Sequence, residues 1–343
     1  MPKKIRVLVT DDSLVFREFL ARGISADPAI EVVGTVADVY MARDKIIELE
    51  PDVLTLDVEM PKMNGIEFLR RLLPQYPIPV VMVSAKNDDV FEALQAGAVD
   101  FVCKPDTGSN ERAIQAFINE LIIKIKIAST ARVKFSGTDV VYQPSASTAA
   151  GKSKHKLIAI GASTGGTEAL NVILKNLPEN MPGIVIVQHM PPVFTRMYAE
   201  RLNQTSSLEV REARDGERIM PGLALIAPGD YHMTVCKAGD GYAVRCRRGE
   251  KINGHCPSVD ALFNSVAEHC RAGAVGVILT GMGHDGAKGL LAMRKNGART
   301  IGQDESSSIV YGMPKVAFDI GAVEQQASLE RIPTLLCSIT SGK

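Results

Sequence analysis

Five residues in the first third of the chain have the types that a phosphoryl-transfer site needs. Asp11 and Asp12 follow the apolar run IRVLVT, Asp57 closes LTLD, Ser84 closes VVMVS and Lys104 follows DFVC. Three carboxylates brought to one edge repel one another unless a cation intervenes, and hard oxygen ligands suit Mg²⁺. With the Ser84 hydroxyl and the Lys104 ammonium beside them, Asp57 can attack phosphorus and hold an aspartyl phosphate. Each residue alone has a plainer explanation, since an aspartate after a strand is commonly a helix N-cap. The reading rests on all five standing at the ends of apolar runs.

A second set begins at residue 157, in LIAIGASTGGTEAL. Gly161 and Gly166 have the spacing of a Walker phosphate loop, but Thr167 stands where that loop needs lysine. Ser163 stands where a dinucleotide fingerprint needs its middle glycine. Gly161 to Gly165 does satisfy G-x-S-x-G, a tight strand-to-helix turn that lifts a serine hydroxyl clear of the sheet. The helix starting near Gly165 would then aim N–H groups and its positive end at an oxyanion. A glycine- and serine-capped helix start without chemistry accounts for the pentapeptide equally well.

A nucleophilic serine needs a base, and the histidines are His155, His189, His232, His255, His269 and His284. His189 ends the run GIVIVQ, the next strand after the serine's own, which puts it at the right edge to take the Ser163 proton. Asp285, in the glycine-rich turn of ILTGMGHDG, can orient the imidazole. His284 is a rival base, and His232 and His255 are either substrate-side groups or ordinary turn residues. The order Ser, His, Asp differs from that of α/β-hydrolases, so the same chemistry on another topology is expected.

These residues must be positioned by two α/β units. In residues 1–125 the runs IRVLVT, EVVGTV, VLTLDV, PVVMVS and DFVCK read as five strands. They alternate with segments whose apolar residues recur every three or four positions. That alternation predicts a flavodoxin-like (βα)5 domain with a parallel sheet. Residues 126–155 carry Ser, Thr, Ala, Lys and Gly without periodicity and are expected to be a flexible linker. From residue 156 to 343 the alternation returns, predicting a second α/β domain with a mostly parallel, Rossmann-like sheet and a more β-like middle. Its chemistry should sit at the carboxyl ends of the strands.

Composition excludes several function classes. Residues 1–125 hold 14 Lys/Arg against 20 Asp/Glu and the chain as a whole is neutral, so no nucleic-acid surface is expected. No apolar stretch is long enough to span a bilayer, and the first residues do not read as a secretory signal, so no membrane insertion and a cytoplasmic location are expected. The six cysteines include no CxxC pair, which argues against a disulfide framework or zinc site.

Two resemblances join these readings. Residues 3–123 resemble a two-component response-regulator receiver domain. The resemblance implies Mg²⁺ held by Asp11, Asp12 and Asp57, phosphorylation of Asp57 by a histidine kinase, and Ser84, Lys104 and Phe101 as the residues that report it. Residues 156–340 resemble the catalytic domain of the chemotaxis protein-glutamate methylesterases (CheB family). The carrying motifs are IAIGASTGGTEAL, QHMPPVFTRMYAERLN, DGERIMPG, APGDYHM, CPSVDALF, ILTGMGHDG and YGMPK. This second resemblance implies Ser163, His189 and Asp285 as a triad, Met282 supplying backbone to the oxyanion region, and Thr164 lining the site. Cys256 and His284 depart from the Arg and Asn common at those positions, which leaves the triad intact and bears on substrate docking.

The resemblance implies hydrolysis of glutamate γ-methyl esters on methylated chemoreceptor cytoplasmic domains, with deamidation of certain glutamines and no cofactor in the esterase site. It is also expected that an unphosphorylated receiver covers the esterase cleft and that phosphorylation opens it. The competing readings are a receiver-regulated serine acyl esterase or a non-catalytic docking protein, either acting on a target other than a chemoreceptor.

Overall fold

Short Val- and Ile-rich runs are fully buried when a parallel sheet is covered on both faces, and the central strands of both parallel sheets of this protein are buried in that way. The computed structural model describes residues 3–85, 89–106, 108, 110–133 and 156–341. The chain divides into two units, Met1–Asp139 and Val140–Lys343.

The first unit alternates β1 (Ile5–Thr10), α1 (Leu14–Ser25), β2 (Ile30–Val36), α2 (Val39–Leu49), β3 (Val53–Asp57), α3 (Gly65–Leu72), β4 (Val80–Ser84), α4 (Asp89–Gln95), β5 (Asp100–Cys103) and α5 (Glu111–Ala128). All paired strands are parallel and the order is β2-β1-β3-β4-β5. The chain order reverses between β1 and β3, so the crevice beyond their carboxyl ends is where a ligand of such a sheet binds. Asp11 and Asp57 flank it. Polar caps start the helices: Asp38 accepts from the amides of Tyr40 and Met41, and Asn110 from that of Ala113.

Helix α5 reaches Ala128, so residues 126–128 of the stretch expected as linker are helical. The physical reason is burial: Ile125 and Ala128 still face the core. Residues 134–155, including His155, lie outside the described residues.

The second unit runs β6 (Leu157–Ala162), α6 (Gly166–Lys175), β7 (Gly183–Gln188), α7 (Phe194–Thr205), β8 (Glu209–Glu212), β9 (Arg218–Ile219), β10 (Leu223–Ile226), β11 (His232–Ala238) and β12 (Gly241–Arg247). It continues through α8 (Val259–His269), β13 (Ala274–Ile278), α9 (Ala287–Lys295), β14 (Arg299–Gln303), α10 (Met313–Asp319), β15 (Gln325–Ala327) and α11 (Ile332–Ser341). Seven strands form a parallel sheet in the order β15-β14-β13-β6-β7-β10-β8. Strands β11, β12 and β9 form a separate antiparallel sheet.

Strands β10, β11 and β12 form the β-like middle expected from the sequence, and the structure adds β9, β15, α10 and α11. The reversal of strand order falls between β6 and β13. Ser163 follows one of these strands and the turn carrying Asp285 follows the other. Phe263 of α8 is fully buried in the core with Leu262, Val266, Leu290 and Met293. Truncating it to alanine would cost about 3–5 kcal/mol, so α8 is fixed firmly enough to serve as a platform. Among the described residues no helix is long and apolar enough to cross a membrane.

Candidate active site

The first site is a small acidic crevice. Asp11, Asp12 and Asp57 offer oxygens that all lie within 4.8 Å of one another. Asp11 and Asp57 are buried and Asp12 is exposed. The Lys104 ammonium donates to Asp11 Oδ2 at 2.8 Å and to Asp57 Oδ2 at 2.6 Å. Burial pushes the Asp57 carboxyl up to about 6; Lys104 opposes the rise and the neighbouring Asp11 adds to it. A buried carboxylate with two others beside it is a place where a metal ion could be held by three oxygen donors.

The register Asp57↔Val83 puts Ser84 one residue beyond Asp57 on the next strand, and Ser84 in turn pairs with Cys103. Ser84 is buried, and its carbonyl accepts from the Lys104 amide at 2.8 Å. Phe101 is buried in β5 opposite Met82, with the Lys124 ammonium 4.6 Å above its ring. The structure therefore gathers Asp11, Asp12, Asp57, Ser84 and Lys104 at one sheet edge, with Phe101 a short way down the adjoining strand.

The second site lies where β6, β7 and β13 end. Ala162 pairs with Gln188, so Ser163 and His189 are the next residues out on adjacent strands. The His189 amide donates to Ala162 O at 3.1 Å, and Gln188 Nε2 donates to Ser163 O at 2.9 Å. On the other side the Ser163 amide donates to Thr280 O at 3.0 Å. Gly281 makes that approach feasible, because a Cβ there would lie 2.6 Å from Ser163 Cβ. Gly165 takes φ +77°, a left-handed conformation that turns the chain sharply from strand to helix. The Gly166 amide is bonded to Ser163 O at 2.7 Å, so this donor at the start of α6 is already occupied. The Met282 amide makes no backbone hydrogen bond among the described residues.

Asp285 is 1% exposed and accepts five hydrogen bonds. Its Oδ1 receives Asn253 Nδ2 at 2.8 Å, Ser258 Oγ at 2.8 Å and the Asp260 amide at 3.2 Å. Its Oδ2 receives the Val259 amide at 2.7 Å and His189 Nε2 at 2.8 Å. Burial alone would raise this carboxyl, but the bonds from His189, Asn253 and Val259 outweigh it and hold Asp285 far below the usual range. The donors from α8 are the first amides of that helix, so its dipole also favours the anion. With Nε2 committed to Asp285, Nδ1 is the ring nitrogen of His189 left for another partner. That nitrogen is buried and has no partner among the described residues.

The other expected groups sit around this core. Thr164 is buried, and its carbonyl accepts from Thr280 Oγ1 at 3.0 Å. The Met282 side chain is 44% exposed beside the site. His284 is exposed while its neighbour Asp285 is buried, so it is not brought onto the carboxylate. His232 is engaged structurally: Nε2 donates to Glu250 O at 2.8 Å and Nδ1 accepts from the Ser258 amide at 3.2 Å. His269 ends α8, away from the sheet edge.

Sequence reasoning did not single out Asn253 or Ser258, and it left His255 undecided. A signal exists for the first: Asn-Gly at 253–254 is a two-residue hairpin turn, and both residues take positive φ here. Ser258 is the N-cap of α8, accepting from the Ala261 amide at 3.3 Å while its hydroxyl reaches Asp285.

Comparison with known proteins gives a consistent picture. Residues 158–336 match the CheB methylesterase family and residues 7–116 the response regulator receiver domain. The chain is 60% identical over 330 residues to a protein-glutamate methylesterase/protein-glutamine glutaminase of Syntrophomonas wolfei, covering 96% of each chain. It is 48% identical over 336 residues to one from Pseudomonas aeruginosa, covering 97% of this chain and 96% of that one. Among solved structures, the Thermotoga maritima CheB methylesterase catalytic domain superposes with a TM-score of 0.53 at 40% identity, covering 54% of this chain and 98% of the other.

Proposed function

The chain belongs to the CheB methylesterase family and carries a receiver domain; from that premise we propose that it hydrolyses the γ-methyl esters of glutamates, and deamidates glutamines, on methylated chemoreceptors. Ser163 Oγ attacks the γ-carbonyl carbon while its proton passes to His189 Nδ1. Asp285 accepts the hydrogen bond from Nε2–H and stabilises the imidazolium that forms. The tetrahedral intermediate collapses, its C–O bond to the methyl group's oxygen breaks, and methanol leaves with the proton from His189. Water then adds to the acyl carbon, giving its proton to His189, and Ser163 regains that proton as glutamate is released. With a glutamine side chain the leaving group is ammonia. The Met282 amide donates to the oxyanion, and Thr164 lines the site.

Control comes from the receiver. An Asp57 oxygen attacks the phosphorus of a phosphohistidine on a chemotaxis histidine kinase, forming an acyl phosphate and freeing the imidazole. Mg²⁺ held by Asp11, Asp12 and Asp57 would neutralise phosphoryl charge, and Lys104 contributes an ammonium to the same oxygens. Ser84 and Phe101 then shift, and the change raises turnover at Ser163.

The observation that supports the hydrolytic reading is the buried pair of His189 and Asp285, with the second imidazole nitrogen unsatisfied and Ser163 at the matching position on the adjacent strand. The test is methanol release from methylated receptor membranes with and without a small phosphodonor. Release that rises with phosphodonor and disappears in Ser163→Ala supports the proposal. Turnover retained by Ser163→Ala overturns the assignment of the nucleophile.

A further inference from the structure

The His189 ring has a face as well as an edge, and the face is covered. His255 stacks on it with ring centroids 3.7 Å apart and planes inclined by 6°. His255 arrives there on a short hairpin: the Ile252 amide donates to His255 O at 3.0 Å and the His255 amide to Ile252 O at 3.0 Å. The two residues between, Asn253 and Gly254, have φ of +52° and +85°. This is the pairing of a two-residue turn with both central residues left-handed.

The same turn also holds the other half of the pair. Asn253 Nδ2 donates to Asp285 Oδ1 and to Asp260 Oδ2, both at 2.8 Å. Asp260 in turn is fixed by the Gly289 amide at 2.7 Å, at the start of α9. One rigid turn therefore grips the carboxylate with its first central residue and the imidazole with its last residue.

We propose that His255 is a positioning residue: its ring, delivered by the Asn253–Gly254 turn, fixes the plane of His189 so that Nδ1 stays aimed at Ser163. The proposal rests on the reading of His189 as the base. A hydrogen bond at Nε2 alone leaves the imidazole free to tilt at that bond, and Nδ1 has no partner among the described residues to stop it. A parallel ring at van der Waals distance removes that freedom.

The stacked ring must also be neutral, because two cations at this distance would repel. Burial pushes the His255 imidazole down to about 4, with the charge of His189 the next cause; Asp285 opposes the shift, and Lys251 and His284 add to it. When His189 takes the serine proton, the neutral face of His255 lies against an imidazolium, an arrangement that favours the cation.

The experiment uses the full-length protein activated by a small phosphodonor, with methylated receptor membranes as substrate. His255→Ala should lower kcat by about 10- to 100-fold, the range expected when a reacting group loses its orientation. KM should stay nearly constant. His255→Phe restores a flat ring and should recover most of the loss. Asn253→Ala, which frees the turn from Asp285, should lie between them.

¹⁵N NMR of the wild-type imidazoles gives a second readout, with a single His189 tautomer protonated at Nε2 expected. Exchange between two tautomers of His189 would overturn the positioning role even if His255→Ala does not fold. So would a His255→Phe protein that folds and is no more active than His255→Ala, or a His255→Ala protein of unchanged kcat. Failure of the underlying reading is seen separately, as turnover that survives His189→Ala.

Discussion

Two aspartates of this protein are equally hidden from water and are driven in opposite directions. Asp57 is 3% exposed and Asp285 is 1% exposed. Each ends or follows a strand beside the reversal point of a parallel sheet. Yet burial raises Asp57 to about 6, whereas Asp285 is held far below the usual carboxylate range.

The difference is in donors. Asp285 collects five, three of them from the first turn of α8 and its cap. Asp57 has Lys104 and a longer bond from the Glu59 amide at 3.3 Å, and it faces Asp11. Burial sets the scale of the electrostatic energy, and the number of donors sets its sign. On the proposed reading, the carboxylate that orients an imidazole is saturated with hydrogen-bond donors, and the one that receives a phosphoryl group keeps oxygens in reserve for cations.

The largest effect expected from breaking this contrast is at Asp285. Asp285→Asn preserves shape and removes the anion, and turnover should fall by about 10⁴-fold, as expected when the imidazole loses its orienting carboxylate. Phosphorylation of the receiver should be unaffected, which a phosphoprotein gel checks. Asp57→Asn is the mirror experiment. It should abolish the response to phosphodonor while leaving basal methanol release intact.

Trimming one donor should be milder. Ser258→Ala removes both the cap of α8 and one bond to Asp285, costing about 1–2 kcal/mol in stability by denaturant titration. A kcat reduction should accompany it, since Asp285 becomes a less saturated anion.

The smallest effect is in the pH dependence of stability, and there the two units should diverge. The raised carboxyl of Asp57 stabilises the fold below its unfolded value of 3.8 and loses that contribution as pH rises through about 6. The full shift corresponds to about 3 kcal/mol, of which about 1 kcal/mol falls between pH 7 and pH 5. Between pH 7 and pH 5 the first unit should therefore gain stability from this group. His255 works the other way: its folded value of about 4 lies below the unfolded 6.5, so the second unit loses stability as pH falls through that window. Asp285 contributes no slope there, because its stabilisation is present above 3.8 and is lost only as pH falls further. Calorimetry resolving two transitions would show them moving in opposite directions, and Mg²⁺ should flatten the slope of the first.

The legibility of the molecule in its sequence follows the range of the forces involved. Strands such as IRVLVT and GIVIVQ are local apolar runs, and the residues at their ends are fixed by topology once the sheet is parallel. That rule places Ser163, His189, Asp57 and Lys104 at the sheet edges, with Asp285 in the turn beyond β13. Strands β9 and β15 have two and three residues and exist only because a neighbour offers hydrogen bonds. Helix α10 begins on Met-Pro, and α11 is rich in Thr and Ser, so neither carries a strong periodic signal. The occupied Gly166 amide differs from the expectation of free donors at the start of α6, because the serine's own carbonyl turns back to claim it. The stack of His255 on His189 joins residues far apart in the chain, and no spacing announces it.

The contrast between the two aspartates can be read directly by a ¹³C NMR titration of the carboxyl carbons in the full-length protein without divalent cations, with Asp57→Asn and Asp285→Asn assigning the two signals. The account predicts that the Asp57 carbon titrates near pH 6 while the Asp285 carbon shows no titration above pH 3. Co-titration of the two at an ordinary carboxylate value, or an Asp285 signal moving near neutral pH, would contradict it.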